Sequence, residues 1–147
     1  NGTSIGPPIL PPIMVSLGLV VAEFNRPITE QMEASARQAA EERDAHITDT
    51  VYVPGSFDTP LAADRLARKN SIDGVVVLGA IISGDTDHEY VIGDAVASGL
   101  TDVSLDRDVP VTLGITGPGM TAEEARDRVE YGAQAVESAV DLIEGYE

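Results

Sequence analysis

The 147-residue chain contains no cysteine, no tryptophan, one lysine, two histidines and two phenylalanines. Without cysteine there are no disulfides, no thiolate metal sites and no cysteine nucleophile. His46 and His88 alone cannot build a histidine-rich metal cluster, so no metal is expected. No run approaches the roughly 18 apolar residues of a spanning helix, and the mean hydropathy of +0.02 speaks against a membrane protein. Bases are scarce: 9 face 25 acids, and only Lys69 among them is a lysine, giving a net charge of −16. A surface of that sign repels polyanions, which excludes nucleic acid as a partner. The acid is dispersed along the chain and forms no tail, a pattern expected of a protein from a salt-rich cytoplasm. There the Debye length shrinks to about 3 Å at 1 M salt. Nucleotide fingerprints are also missing: no Gly-x-Gly-x-x-Gly follows the first apolar run, and no Gly-Lys-Ser/Thr occurs. Ser56 lacks the Gly-x-Ser-x-Gly setting of a hydrolase nucleophile, with Pro54 two before it and Asp58 two after.

The 43% apolar fraction is that of a globular domain, and a chain of this length buries about two-thirds of its unfolded surface. Residues 1–13 (NGTSIGPPILPPI) hold two Pro-Pro pairs and lack both helical periodicity and the charged start of a signal peptide. They read as an extended N-terminal arm or a cloning remnant, with Met14 as the natural start and residues 14–147 as the domain. An arm of this kind could lie on a neighbouring subunit.

From Met14 onward, apolar runs alternate with helical spacings. Val15–Ala22 is a nearly continuous apolar strand, Ile47–Val53 a more alternating strand nearer an edge, Asp73–Ala80 a buried strand and Val109–Thr116 a fourth. Pro27 suits a first helical position, and Ile28, Met32, Ala36 and Ala39/Ala40 carry that helix to about Asp44. Thr59-Pro60 opens a second helix marked by Leu61, Asp64/Arg65 and Arg68 to Asn70. Asp87 to about Ser104 reads as the third, weakened at Gly93 and Gly99 by roughly 1 kcal/mol each unless close packing uses them. Gly117-Pro118-Gly119-Met120 breaks the chain. Thr121 with Glu124 then forms a capping box for a last helix burying Ala125, Val129, Ala133, Val136, Val140 and Ile143. Strict βα alternation implies a parallel sheet covered on both faces, with right-handed crossovers.

In such a sheet the strand exits lie at one end, where open α/β folds bind ligands. Three exits carry unusual residues: Phe24-Asn25, Gly55-Ser56-Phe57-Asp58 and Gly84-Asp85-Thr86-Asp87-His88. The two phenylalanines sit in these loops, either as lids on the core or as plates against a planar heterocycle. Asp58 either caps the second helix or accepts hydrogen bonds from a polyol beside the Gly55 and Ser56 amides. Free N–H groups at the Gly-Asp-Thr helix start attract an anion, phosphate above all. His88, one turn inside, is then the candidate proton carrier. His46 reads as surface.

These segments, with Val53–Asp58 (VPGSFD), Gly79–His88 (GAIISGDTDH) and Val111–Ile115 (VTLGI), occur in an order and spacing that resemble the lumazine synthases. The resemblance runs from about Met14 to Tyr146, and Leu113–Thr121 (LGITGPGMT) is similar to the archaeal branch. It implies a flavodoxin-like three-layer α/β/α fold with a four-stranded parallel sheet. It also implies an enzyme condensing 5-amino-6-ribitylaminouracil with 3,4-dihydroxy-2-butanone 4-phosphate to 6,7-dimethyl-8-ribityllumazine. That reaction of riboflavin biosynthesis releases phosphate and water and needs no cofactor.

By the same resemblance Phe24, beside Asn25, stacks on the pyrimidine. Ser56, Phe57 and Asp58 hold the ribityl chain, and Ala80, Ile81 and Ile82 line the ring's edge with backbone groups. Gly84, Asp85 and Thr86 receive the phosphate, the Asp85 carboxylate turning away and its N–H facing inward. His88 shuttles protons. Leu113, covering the ring, and Arg128, pairing with phosphate, come from an adjacent subunit. Arg126 is the rival phosphate ligand. Two positions depart from bacterial members: Ser83 replaces an arginine, and Tyr131 falls near a substrate-contacting lysine. The implied assembly is a cytoplasmic homo-pentamer with active sites at subunit interfaces, possibly closed into a 60-subunit icosahedral shell. Two rivals share the scaffold: an archaeal riboflavin synthase relative and a non-catalytic flavin- or lumazine-binding shell protein.

Overall fold

The computed structural model describes residues 14–145; the expected N-terminal arm at 1–13 lies outside them. Four strands form one parallel sheet: β1 Ser16–Ala22, β2 His46–Val53, β3 Gly74–Ile82 and β4 Val111–Met120, in the order β2-β1-β3-β4. The helices are α1 Arg26–Glu42, α2 Thr59–Ala67, α3 Glu89–Arg107, α4 Ala122–Arg126 and α5 Tyr131–Gly145, with a 3₁₀ turn at Ser56–Asp58. The continuous apolar runs become the inner strands because both their faces are covered; all nine residues of β3 are buried. On one face Leu17, Leu19 and Val21 of β1 and Val76 and Leu78 of β3 pack against Met32, Ala36, Val136 and Val140 of α1 and α5. On the other, Val20, Val75 and Val77 meet Ala63, Leu66, Val96 and Leu100 of α2 and α3. The alternating β2 is an edge strand, as its pattern predicts.

Several boundaries differ from the sequence expectation. First, α3 begins at Glu89, so His88 occupies its N-cap and not a position one turn inside. Second, β3 continues two residues to Ile82. Third, β4 runs through Gly117-Pro118-Gly119 to Met120 without breaking, and Ser83 N donates to Met120 O at 2.7 Å. The ladder shifts register between Ala80 and Ile82, and at Gly117 (φ 90°) a Cβ would fall 1.9 Å from the Ile81 carbonyl oxygen. Glycine at this point lets the strand bulge and carry on. Fourth, the last helix is two helices. The Thr121/Glu124 capping box forms at both 3.1 Å contacts and starts α4, but the chain turns again at 127–130. The break brings the Gly132 backbone against α1, where a Cβ would lie 2.2 Å from Met32 O. Ser35 of α1 seals the joint, donating to Val129 O at 3.1 Å and accepting from Ala133 N at 2.9 Å. In addition α2 ends at Ala67, with Leu61 exposed. Packing does use the two α3 glycines: Gly93 faces the Pro118 ring and Gly99 the Pro60 ring.

Glu33 is the buried carboxylate of α1. It accepts from Arg26 (2.8 Å), from Arg37 Nε and Nη2 (3.0 and 2.9 Å) and from the Tyr52 hydroxyl (2.7 Å), while the Arg26 guanidinium lies 5.1 Å from the Tyr52 ring centre. Burial pushes the Glu33 carboxyl upward, but the Tyr52 hydroxyl and the two guanidinium groups outweigh it and hold it below the usual range. A lowered folded-state pKa stabilises the protein at neutral pH, and that stabilisation is lost as pH falls through the lowered value. Glu33→Gln is therefore expected to cost about 1–3 kcal/mol at pH 7, the range for hydrogen bonds to a charged group. Urea denaturation of both proteins from pH 7 downward checks this: the gap should close below about pH 4.

Candidate active site

The parallel sheet delivers the exits of β1, β2 and β3 to one rim, where hydrogen bonds stitch them together. Glu23 N donates to Val53 O (2.8 Å) and Phe24 N to Pro54 O (2.9 Å), fastening the first exit to the second. Asn25, in the left-handed region at φ 66° and capping α1, fastens the first to the third: its Nδ2 donates to Ala80 O and to Asp85 Oδ2, each at 3.0 Å. Asparagine tolerates this backbone conformation better than most side chains.

Between the exits lies a cleft of about 250 Å³ lined by Phe24, Gly55, Ser56, Phe57, Ala80, Ile81, Ile82, Asp85, Thr86 and Ile92. Its floor is the buried end of β3. Phe24 and Phe57 are 55% and 62% exposed, which sets aside the lid reading for both. Aromatic rings beside an apolar floor suit a planar, partly polar ring system. Ser56 is buried, its carbonyl accepting from Thr59 Oγ1 at 2.7 Å. Asp58 makes no side-chain cap to α2; its carboxylate takes the Gly55 N–H at 3.0 Å and faces a neighbouring groove with Tyr52, Leu61 and Arg65.

At the third exit, Gly84 has φ 90° with open space where a side chain would be. Thr86 Oγ1 accepts from His88 N at 3.1 Å, shaping the turn into α3. The Asp85 carboxylate does turn aside, toward Asn25, but its N–H closes the turn on Ile82 O at 3.2 Å. Among the described residues, Gly84, Thr86 and Asp87 are then the amides without a protein acceptor in this loop. The exposed His88 imidazole makes no capping hydrogen bond and is not among the lining residues, two of which, Thr86 and Ile92, flank it in sequence.

Leu113 and Arg128 lie apart from this cleft within one chain. Leu113 is 52% exposed on β4, beside Thr112, Ile115, Tyr131 and Gln134. Arg128, in the turn between α4 and α5, donates only to Glu124 O at 3.3 Å. Six of the nine cations are committed to ion pairs: Arg26 and Arg37 to Glu33, Arg43 to Asp141, Arg68 and Arg107 to Asp64, and Lys69 to Asp49. Among the described residues, Arg65, Arg126 and Arg128 have no ion pair. Among the described residues, no cation lines the cleft itself. Sequence reasoning missed Ile92, which closes the wall one helical turn beyond His88; that spacing was the available signal.

A parallel three-layer α/β sheet with an aromatic-flanked cleft beyond its strand ends defines the class: small-molecule enzymes built on open α/β folds. The 6,7-dimethyl-8-ribityllumazine synthase family profile matches residues 14–147. The chain is 66% identical over 131 residues to 6,7-dimethyl-8-ribityllumazine synthase of Halobacterium salinarum, covering 89% of this chain and 98% of that protein. It is 60% identical over 131 residues to that of Halorubrum lacusprofundi (89% and 98%), and 50% over 129 residues to that of Methanosarcina barkeri (88% and 96%). The chain belongs to the 6,7-dimethyl-8-ribityllumazine synthase family.

Proposed function

We propose that this enzyme condenses 5-amino-6-ribitylaminouracil with 3,4-dihydroxy-2-butanone 4-phosphate, releasing phosphate and water, in the cleft at the sheet rim. The observation that carries the reading is the junction of two exposed phenyl rings, an apolar floor and the Asp85–Thr86 end of a glycine turn in one 250 Å³ space. The pyrimidine stacks on Phe24, near Asn25, with its edge along Ala80, Ile81 and Ile82. The ribityl chain runs toward Ser56, Phe57 and Asp58, and the phosphate sits over Gly84, Asp85 and Thr86.

An amine attacking a ketone must lose a proton from nitrogen, and the departing oxygen must gain one. Imidazole performs both steps near neutral pH. His88, two residues beyond the lining Thr86, is the histidine suited to this relay. Leu113 and Arg128 of a second copy complete the site, Leu113 over the ring and Arg128 on the phosphate. Their absence from the cleft lining in one chain, and the lack of any cation there among the described residues, support a site shared between subunits of a pentamer. Residues 14–147 act in it as one domain. Arginine suits the phosphate because its fork binds oxygens bidentately.

Holding two substrates together contributes up to about 7–11 kcal/mol, against about 10²–10⁴-fold from proton transfer. His88→Ala should therefore slow turnover by about 10²-fold or more yet leave lumazine formation measurable by fluorescence. Complete loss of activity with substrate binding intact contradicts this ranking.

With −16 per subunit the assembly carries strong self-repulsion, screened in concentrated salt. We propose that the oligomer is adapted to high salt and loosens on desalting. Sedimentation should show smaller species at low salt than at molar salt, and identical sedimentation at both contradicts the proposal.

A further inference from the structure

We propose that Asn25 is a positioning residue that keeps the Asp85 carboxylate out of the phosphate subsite, thereby setting the affinity for the phosphorylated substrate. The inference rests on the functional reading above and adds an effect on substrate to a side chain that so far only ties two strand exits together.

The Gly84–Thr86 turn presents two free amides to an anion, yet it also carries a carboxylate between them. A full negative charge a few ångströms from a phosphate opposes binding by about three- to tenfold per charge in a partly aqueous setting. Asp85 Oδ2 is 3.0 Å from Asn25 Nδ2, and the second hydrogen of the same amide goes to Ala80 O, also at 3.0 Å. The Ala80 bond fixes the amide plane, because the Ala80 carbonyl belongs to the buried β3 strand. With that plane fixed, the remaining N–H points at Asp85 and holds its carboxylate on the α1 side of the loop. Among the described residues no cation pairs with Asp85: Arg26, next to Asn25, is engaged with Glu33. Both donor positions of Asn25 are thus used on protein acceptors, so the side chain acts on substrate through Asp85 and the Ala80 edge.

Steady-state kinetics of Asn25→Gly, Asp85→Asn and the double variant test the proposal, at one salt concentration at which sedimentation shows the assembly intact. Glycine accepts φ 66° without strain, so the backbone of the turn is kept. For Asn25→Gly, the KM for the butanone phosphate and the inhibition constant of inorganic phosphate should both rise about tenfold. For Asp85→Asn alone both should fall about threefold. In the double variant both should return to within about twofold of the Asp85→Asn values, while any change in KM for the pyrimidine stays unrescued. A double variant as weak toward phosphate as Asn25→Gly overturns the proposal and leaves the phosphate site standing. If no variant, Asp85→Asn included, alters the phosphate constants, the anion binds elsewhere, and the reading beneath falls with the proposal. Should Asn25→Gly fail to fold, Asn25→Asp serves instead. It keeps the shape, replaces the donor with a second charge and should weaken phosphate more than tenfold; unchanged affinity in that variant overturns the proposal.

Discussion

Burial of β3 on both faces is the constraint on which the rest of the molecule depends. Nine consecutive buried residues represent about 1.5–3 kcal/mol for each large aliphatic side chain. That gain is available only if strands flank β3 and helices cover both faces. Short βα connections make the neighbours parallel, so every strand must end at the same rim. Chemistry cannot reside on the strand itself, since its side chains are committed to the core. It falls to the loops beyond the strand ends and to the backbone of Ala80, Ile81 and Ile82, the last residues of β3.

Electrostatics shapes what those loops can hold. Most of the chain's few cations neutralise individual acids, as Glu33 shows with two guanidinium groups, so an anion at the rim relies first on peptide N–H groups. Such a cradle is sensitive to any nearby carboxylate. This explains why the hydrogen bonds of the Gly84–Thr86 turn matter more here than they would in a chain rich in lysine. The unpaired arginines of α4 and the turn after it are not among the cleft's lining residues, which leaves them to a neighbouring copy.

Much of this was legible in the residues. Hydrophobic patterning alone located four strands, ranked β2 as an edge and gave the buried face of α1 at Ile28, Met32, Ala36 and Ala39. The convergence of three exits followed from parallel topology without knowledge of any side-chain position. What escaped was set by long-range contact. Gly117-Pro118-Gly119 has the composition of a chain break, yet β4 continues through it because Ile82 and Ser83 offer Met120 backbone partners that no local pattern reveals. The split of the final helix follows from the approach of Gly132 to Met32 O, a contact across 100 residues of sequence. The start of α3 at Glu89 depends on the Thr86 hydroxyl taking the His88 N–H. Asp58 was open between two roles, and its bond to Gly55 N became visible only in three dimensions.

The central claim is that three strand exits form one substrate cleft, completed by a second copy. A crystal structure with a non-reactive ribitylaminopyrimidine analogue and inorganic phosphate tests it most directly. The account predicts the ring against Phe24 along Ala80–Ile82 and the phosphate over Gly84–Thr86 with the His88 imidazole within reach of both, Leu113 and Arg128 of another subunit closing the site. An analogue bound away from both phenyl rings, or an imidazole farther than a substrate's length from it in every protomer, would contradict the account.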